Sequence, residues 1–273
     1  MLMKDSQPKL WWHRTHWPKI KINLNKTHSA RGFHRGIYYR DYLEQIHKVW
    51  KPSSYLEIGV ESGATLAFAD CRSVAVDPQF RLEGNPIGGR VETHLFQMTS
   101  DDFFAQCNPP TFFPDGVDFA FLDGMHHFEY LLRDFFNTER YSRGKTIVAL
   151  HDCHPVNTEM ANREANYDRR ADATTRVWWT GDVWKLLPIF RDFRPDLDVT
   201  ILDCPPTGLV IVRGLDAASK ALSNAYDEIV GKYRDVTLED FGIERFRKEF
   251  PTKSSADVFQ PAALLNFLSN GQY

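Results

Sequence analysis

The sequence predicts an α/β fold built on one seven-stranded, mostly parallel sheet whose last strand is reversed. In the middle of the chain, short runs rich in Val, Ile and Phe alternate with longer polar or helical stretches, which is the spacing of a parallel sheet with crossover helices. The last two apolar runs are separated only by CPPTG. This connection is too short for a helical crossover, so the two strands are expected to pair as an antiparallel hairpin. The predicted sheet is of the doubly wound, Rossmann-like kind.

Seven segments have the length and the β-branched and aromatic composition of strands. Turn-forming or polar residues separate each of them from its neighbours. The segments are Ser54–Val60, Ser73–Asp77, Glu92–Met98, Val117–Asp123, Thr146–His151, Asp198–Asp203 and Leu209–Arg213.

Amphipathic patterns predict helices around these strands. Ile37–Trp50 precedes the first strand, and residues 127–142 place Phe and Leu side chains in one helical stripe between the fourth and fifth strands. Residues 181–193 show the same pattern, although Pro188 must bend or shorten that helix. Residues 156–180 have weak periodicity and dense charge, which indicates a long lid-like loop or an irregular helix.

Charge divides the chain into three predicted parts. Residues 1–36 form a basic, aromatic arm, residues 37–214 the sheet domain, and residues 215–273 a charged helical extension. The arm contains WWHRTHWPKIKI, a mixture that can stack on bases, lie on a membrane interface or pack against the acidic body. The arm and the final helices are also candidates for exchange between subunits of a homo-oligomer.

Composition excludes several classes of protein. The net charge of -3 provides no field that would attract nucleic acid to the whole chain. No apolar run is long enough for a membrane helix, and the first 30 residues lack the apolar stretch of a secretion signal. The four cysteines are scattered without a CxxC pair, as expected for reduced thiols. We therefore expect a cytoplasmic protein without a membrane span.

The turn after the first strand is the first candidate site, because ligands of open parallel sheets bind beyond the carboxyl ends of the strands. In EIGVESGAT the glycines allow a close backbone approach, and a following helix would offer free N–H groups. Asp77 ends the second strand, where a carboxylate can hold a ribose diol. The alternatives are a nucleoside-bearing cofactor and a plain strand-to-helix turn. The absence of GxGxxG counts against NAD.

Several motifs together resemble the class I S-adenosylmethionine-dependent methyltransferases. These are EIGVESGAT, VAVDP, DFAFLDGMHHFEY, TIVALHD and the closing hairpin, within about residues 40–215. The similarity is closest to a bacterial group, which includes small-molecule O-methyltransferases, with an Asp-Gly-x-His motif after the fourth strand. The resemblance implies a seven-stranded sheet with a reversed last strand, which agrees with the periodicity.

The resemblance also implies a set of cofactor-binding residues. Asp77 would bind the ribose hydroxyls. Met98 and Ser100 would border the adenine, although Ser100 or Asp101 could equally be the amino-terminal cap of the next helix. The residues that would border the methionine part are Glu57, Gly59, Ser62 and Gly63.

A second candidate site combines FLDGMHH after the fourth strand with ALHDCHP after the fifth. Neighbouring parallel strands would bring Asp123 and Asp152 side by side, and two facing carboxylates repel unless a cation separates them. Mg²⁺ or another divalent cation would do so, with His151 as a further ligand. The resemblance to cation-dependent O-methyltransferases implies the same ligands, although His-Asp on the fifth strand departs from their pattern. Alternatively, Asp123 binds and orients the cofactor, and Asp152 caps a turn or pairs with the basic arm.

Histidines near these acids are candidates for a catalytic base, since imidazole titrates near neutral pH. The resemblance implies this role for His126, with Asp123 beside it; His127 and His154 are nearby in sequence. Three tryptophans could wall an acceptor pocket, although Trp184 is equally suited to core packing. They are Trp178, Trp179 and Trp184.

Taken together, these features predict an S-adenosylmethionine-dependent methyltransferase acting on oxygen of a small molecule or sugar. A divalent cation would assist by lowering the pKa of the acceptor hydroxyl. Two other functions remain open: a catalytically silent cofactor-binding or interaction protein, and a nucleotide- or NAD-dependent enzyme on a related sheet.

Overall fold

The computed structural model describes residues 33–90, 92–173 and 175–269, and contains all seven predicted strands. The amino-terminal arm lies almost wholly outside the described residues, so its predicted role and the three-part division of the chain stay predictions. The strands are β1 (Ser54–Ile58), β2 (Arg72–Val76), β3 (Thr93–Phe96), β4 (Val117–Leu122), β5 (Ser142–His151), β6 (Asp198–Leu202) and β7 (Leu209–Arg213).

These strands form one sheet in the order β3-β2-β1-β4-β5-β7-β6. Strands β1 to β5 pair in parallel, whereas β7 is antiparallel to both β5 and β6. The predicted fold class, with its reversed last strand, is confirmed. The strand order changes direction between β1 and β4, so the crevice expected of such a sheet lies at the carboxyl ends of these two strands.

The helices cover both faces of the sheet and continue into a helical carboxyl-terminal part. They are α1 (Tyr39–Trp50), α2 (Ser100–Gln106), α3 (Pro109–Phe112), α4 (Phe128–Glu139), α5 (Leu186–Phe193), α6 (Ala221–Asn224), α7 (Tyr226–Tyr233), α8 (Leu238–Phe241), α9 (Ile243–Glu249) and α10 (Pro261–Ser269). Among the described residues, none of these helices has both the length and the apolar character needed to cross a membrane.

Alternation along each strand creates the two cores. In β1, Leu56 and Ile58 pack on one face with side chains of α4 and α5, while Tyr55 packs on the other with α1 and α10. This follows from the period of two in a strand, which sends successive side chains to opposite faces. The result is a sheet buried on both sides, with polar side chains concentrated where the strands end.

Two local predictions are wrong. The turn after β1 leads only into a single 3₁₀ turn, Leu66–Phe68, rather than an α-helix, so this turn does not offer the predicted α-helix amino terminus. The chain returns to β2 soon after Ala69 takes an extended conformation. The cap of α2 is Thr99 rather than Ser100 or Asp101, because the Thr99 hydroxyl accepts from the amide of Asp102.

Other predictions of the sequence are confirmed with small shifts in boundary. The helix before β1 begins two residues later than predicted, and the segment from 181 to 193 begins as a 3₁₀ turn before α5. Of its described residues, the segment 156–180 contains one 3₁₀ turn, Tyr167–Arg169, and no α-helix, which confirms the loop interpretation.

Candidate active site

Asp77 lies at the carboxyl end of β2 and is held against the turn that follows β1. The amide of Glu61 donates to Asp77 Oδ2 at 2.8 Å, and the amide of Gln79 donates to Oδ1 at 2.7 Å. The amide of Gly59 donates to the carbonyl of Val76, so the two strand ends are adjacent. Each Asp77 oxygen keeps one lone pair for a further donor. The carboxylate can therefore order this turn and still accept two hydroxyl groups.

The glycines of the turn are required by the packing of the chain itself. Gly59 has φ +85°, and a Cβ there would lie 2.0 Å from the carbonyl oxygen of Asp123. Gly63 has φ +76°, and a Cβ there would lie 2.6 Å from the Pro86 side chain. The carbonyl of Ser62 accepts a hydrogen bond from the amide of Glu83, in the loop that also contains Pro86. These glycines carry no independent indication of a bound group, and the predicted contacts of Gly59, Ser62 and Gly63 with a cofactor stay predictions.

Glu57 points into the protein rather than toward the crevice. Its carboxylate accepts from the hydroxyl of Tyr55 at 2.8 Å and from that of Thr65 at 2.6 Å, and the side chain is fully buried. Burial raises the pKa of Glu57 to about 7, even though both hydroxyl groups favour the charged form. Glu57 thus supports the turn from below, and its contact with the methionine part of a cofactor stays a prediction.

The predicted adenine side lies where β3 leads into α2. Met98 is half-buried against the core, and Ser100 is the first residue of α2. Next to Ser100 lies Asp134 of α4, which the sequence reasoning missed; burial raises its pKa to about 7. Its Oδ1 atom is buried without a hydrogen-bond partner among the described residues. A single acid within a predicted apolar stripe gives no signal of this position.

At the carboxyl ends of β4 and β5, the predicted juxtaposition of Asp123 and Asp152 is present. His126 Nε2 lies 3.2 Å from Asp152 Oδ2 and 3.6 Å from Asp123 Oδ1. His151 Nδ1 lies 3.1 Å from Asp123 Oδ1 and 3.4 Å from Asp152 Oδ1. Each of the two imidazoles therefore lies within 4 Å of both carboxylates. We call these four residues the acid–histidine cluster.

Mutual charge sets the protonation of this cluster. Burial alone would lower the pKa of His126, but the charges of Asp152 and Asp123 outweigh it and raise the pKa to about 9. His151 shifts in the same direction for the same reason. Burial would raise the pKa of both acids, yet the two histidines hold each below its ordinary value. Protonated imidazoles thus neutralise the carboxylates, a role that the sequence reasoning gave to a metal ion.

Contacts outside the cluster hold it in place. Thr207, in the turn between β6 and β7, donates to Asp152 Oδ1 at 2.6 Å. Tyr39 stacks on the His151 ring with centroids 4.2 Å apart, and His126 Nδ1 donates to the carbonyl of Trp179 at 2.6 Å. Asp152 itself has φ +61°, an uncommon conformation for a non-glycine residue that is typical of functional sites.

The other histidines and tryptophans of the prediction separate into two groups. His127 bonds to the carbonyl of Arg163, outside the cluster. His154 is buried, where its ring bonds to the carbonyl of Phe250, so the structure does not bring it to the cluster. Trp179 contacts the His126 ring, whereas Trp184 is wholly buried in the core, as its alternative interpretation stated. Trp178 is half-buried in the loop beside Trp179.

The donor set fits a divalent cation. Asp123, His126 and Asp152 each offer one ligand atom, and these atoms lie within 4.8 Å of one another. Carboxylate oxygens suit Mg²⁺ or Mn²⁺, while the imidazole nitrogen favours softer metals. His151, a predicted ligand, lies close to both acids through Nδ1 but does not belong to this group of three, so its place in a metal site stays a prediction.

The chain is similar to several solved methyltransferase structures, at low sequence identity. No family model and no curated protein matches it. It is similar to the O-methyltransferase of Bacillus cereus in complex with SAH, at 15% identity over 69% of this chain and 87% of that chain, with a TM-score of 0.45. It is also similar to the O-methyltransferase TomG from Streptomyces achromogenes in complex with SAM, at 16% identity over 71% of this chain and 89% of that chain, with a TM-score of 0.45. A third similar structure is the SAH-bound methyltransferase PaMTH1 from Podospora anserina, at 14% identity over 65% of this chain and 78% of that chain, with a TM-score of 0.45. Identities and scores this low assign no function to the chain.

Proposed function

We propose that the protein is an S-adenosylmethionine-dependent methyltransferase that acts on an oxygen atom of a small molecule or sugar. The observation that carries the proposal is the acid–histidine cluster at the carboxyl ends of β4 and β5. Strand β4 is the neighbour of β1, and the turn after β1 donates a hydrogen bond to Asp77. Such a pairing joins a group that can accept ribose hydroxyls to groups that can accept a proton.

Two further features support this function. The seven-stranded sheet with its reversed β7 is the one that the resemblance to class I methyltransferases implies. Asp77 retains lone pairs for two hydroxyl donors after its two backbone bonds. Neither feature depends on the glycines of the β1 turn, which the packing of the chain explains.

The residues of the cluster have distinct roles in this proposal. S-Adenosylmethionine would supply a sulfonium methyl group, and a cation held by Asp123 and Asp152 would acidify the acceptor hydroxyl. His126 accepts the hydroxyl proton at Nε2, while its Nδ1–H stays bonded to the Trp179 carbonyl and fixes the ring orientation. Without a cation, the charges of Asp152 and Asp123 raise the pKa of His126 to about 9; a cation on these two acids would weaken that attraction and favour the proton-accepting form of the imidazole. Trp179 also covers the ring and limits water access.

Calorimetric titration with S-adenosylmethionine, S-adenosylhomocysteine and NAD⁺ tests the cofactor. We expect the two adenosyl compounds to bind at micromolar concentration and NAD⁺ not to bind. Tight binding of NAD⁺ alone would contradict the proposal. Binding of S-adenosylmethionine without methylated product from a panel of phenols, catechols and sugars would identify a silent binding protein instead.

The cation is tested separately by chelation and by Asp152→Asn. We expect EDTA to lower the rate of methyl transfer and added Mg²⁺ or Mn²⁺ to restore it. Asp152→Asn should weaken cation binding by at least about 10- to 100-fold, the loss that is typical even for removal of a group that only supports a metal ligand. Asp70→Asn, an exposed acid before β2, is the matched control. Full activity in EDTA would remove the cation from the proposal while leaving the methyl transfer intact.

A further inference from the structure

Arg40, in the first turn of α1, is a half-buried cation at the edge of the acid–histidine cluster. Its Nε donates to the hydroxyl of Tyr39 at 2.9 Å. The Tyr39 ring in turn stacks on His151, whose Nδ1 lies 3.1 Å from Asp123. Two contacts therefore connect the guanidinium to the cluster, and the Tyr39 hydroxyl fixes its position.

Arg40 differs from most of the half-buried arginines in the described part of the chain. Arg163 pairs with Glu129 and Asp182, and Arg133 pairs with Asp101. For Arg40, by contrast, the described residues provide no carboxylate within ion-pair distance and no acceptor for its two terminal nitrogens. The planar fork formed by these nitrogens is the part of a guanidinium that binds a carboxylate through two parallel hydrogen bonds.

The charge of Arg40 is secure in this position. Burial opposes the charged form, but Tyr39 and the nearby carboxylate of Asp123 raise the pKa of the guanidinium above its ordinary value. A cation that is partly withdrawn from water and has no anionic partner among the described residues gains most from an anion that arrives with a ligand.

We propose that Arg40 binds a carboxylate group of the acceptor, so that the acceptor is a hydroxylated carboxylic acid. This inference rests on the proposed function, because it places the acceptor hydroxyl at the cluster and the acid group at Arg40. A single guanidinium matches the one charge of a carboxylate. A phosphate dianion would leave an uncompensated charge close to Asp123 and Asp152, so the geometry favours the carboxylate.

Two catechols of nearly equal shape test the charge preference by binding alone. The probes are 3,4-dihydroxybenzoate and its neutral amide, 3,4-dihydroxybenzamide, titrated calorimetrically into the protein in the presence of S-adenosylhomocysteine. We expect the acid to bind roughly 10- to 100-fold more tightly than the amide, the range typical of a hydrogen bond between charged groups. Equal affinities, or no binding of the acid, would overturn the inference.

Variants then assign the preference to one side chain. Arg40→Gln should bind both probes with the same affinity, whereas Arg40→Lys should retain part of the preference for the acid. Lys48→Gln, in the last turn of the same helix and paired with Glu44, should behave as the wild type. Circular dichroism and thermal unfolding of each variant show whether the protein keeps its overall fold. A preference for the acid that survives Arg40→Gln would overturn the inference.

Methyl transfer from S-adenosylmethionine to the two probes keeps the two proposals separate. If the charge preference is present but neither probe is methylated, the anion site stands and the proposed function fails. If both probes are methylated equally well and Arg40→Gln changes neither rate, the proposed function stands and the anion site fails.

Discussion

The two halves of the crevice are constructed differently. At the ends of β1 and β2, each acid is satisfied by neutral donors from the protein: Asp77 by backbone amides and Glu57 by two hydroxyl groups. At the ends of β4 and β5, Asp123 and Asp152 face each other across imidazoles. The first half has the contacts of a structural support. The second half brings two carboxylates close together, which structural support alone does not require.

The cost of the second half makes the contrast informative. Desolvating two carboxylates and two imidazoles is offset by their mutual attraction only if the geometry is good. Asp152 also occupies the left-handed region, which costs of order 1 kcal/mol or more for a residue other than glycine. Groups that are expensive to assemble and shift each other's pKa values are typical of reactive sites. The predictions below separate a reactive half from a supporting half.

The largest effect is expected at His126. His126→Gln removes the group that accepts the proton, so kcat for methyl transfer should fall roughly 100- to 10,000-fold. The neighbouring His127 bonds to the Arg163 carbonyl rather than to the acids, and His127→Gln is the matched control. We expect it to keep kcat within about threefold of the wild type.

Steady-state kinetics with a saturating acceptor measure both variants. An equal loss in the two would show that the segment after β4 responds as a structural unit. Wild-type activity in His126→Gln would remove this residue from the proton transfer and leave His151 as the other imidazole of the cluster.

An intermediate effect is expected on stability at the supporting half. The pKa of Glu57 is raised by burial to about 7 in the folded protein, from about 4.5 when unfolded. The folded state therefore holds a proton that the unfolded state has lost. The contribution of Glu57 to stability is fully present below about pH 4.5 and decreases as the pH rises to about 7, by at most about 3 kcal/mol.

Urea unfolding of the wild type and Glu57→Gln at several pH values between 4 and 8 measures this contribution. As the pH rises across that interval, we expect the free energy of unfolding of Glu57→Gln to increase relative to that of the wild type. His47 is buried with its pKa lowered to about 3, so it changes stability with pH in the opposite direction. Because His47 is present in both proteins, its effect cancels in the difference between the two curves, which isolates Glu57. Parallel curves would mean that Glu57 is ionised in the folded protein near pH 5.

The sheet and the central acid pair were predictable because both depend on simple geometric rules. A short connection forces a hairpin, and neighbouring parallel strands align their ends, which brings Asp123 next to Asp152. Thr207 was not predictable, because its bond to Asp152 depends on the path of the β6–β7 turn. Tyr39 was missed for a similar reason: it reaches His151 from a helix that precedes the sheet in sequence.

The turn after β1 shows that a glycine-rich motif can be explained by packing within the chain. Its glycines suggested a backbone that approaches a ligand, yet at Gly59 and Gly63 the close neighbours are Asp123 and Pro86. Sequence spacing does not distinguish an approach to a ligand from an approach to another part of the chain. The orientation of Glu57 has the same origin, since its partners Tyr55 and Thr65 only become evident once the turn is folded.

The smallest effect is expected at Asp77, where ribose binding and turn packing share one carboxylate. Asp77→Ala should weaken S-adenosylmethionine binding about tenfold, the equivalent of one hydrogen bond to a charged acceptor. Because the substitution also releases the amides of Glu61 and Gln79, affinity alone does not identify the ribose contact. Gln79→Ala, which removes an exposed side chain but keeps its amide, is the control for the turn.

The 2′-deoxy analogue of S-adenosylmethionine completes a cycle that isolates the ribose contact. Calorimetry should show the wild type binding the natural cofactor about tenfold more tightly than the analogue, and Asp77→Ala binding the two equally. If the variant keeps the preference, the 2′-hydroxyl contacts another group and Asp77 belongs entirely to the scaffold. The cycle thus decides whether the β1–β2 half only supports the turn or also binds the ribose.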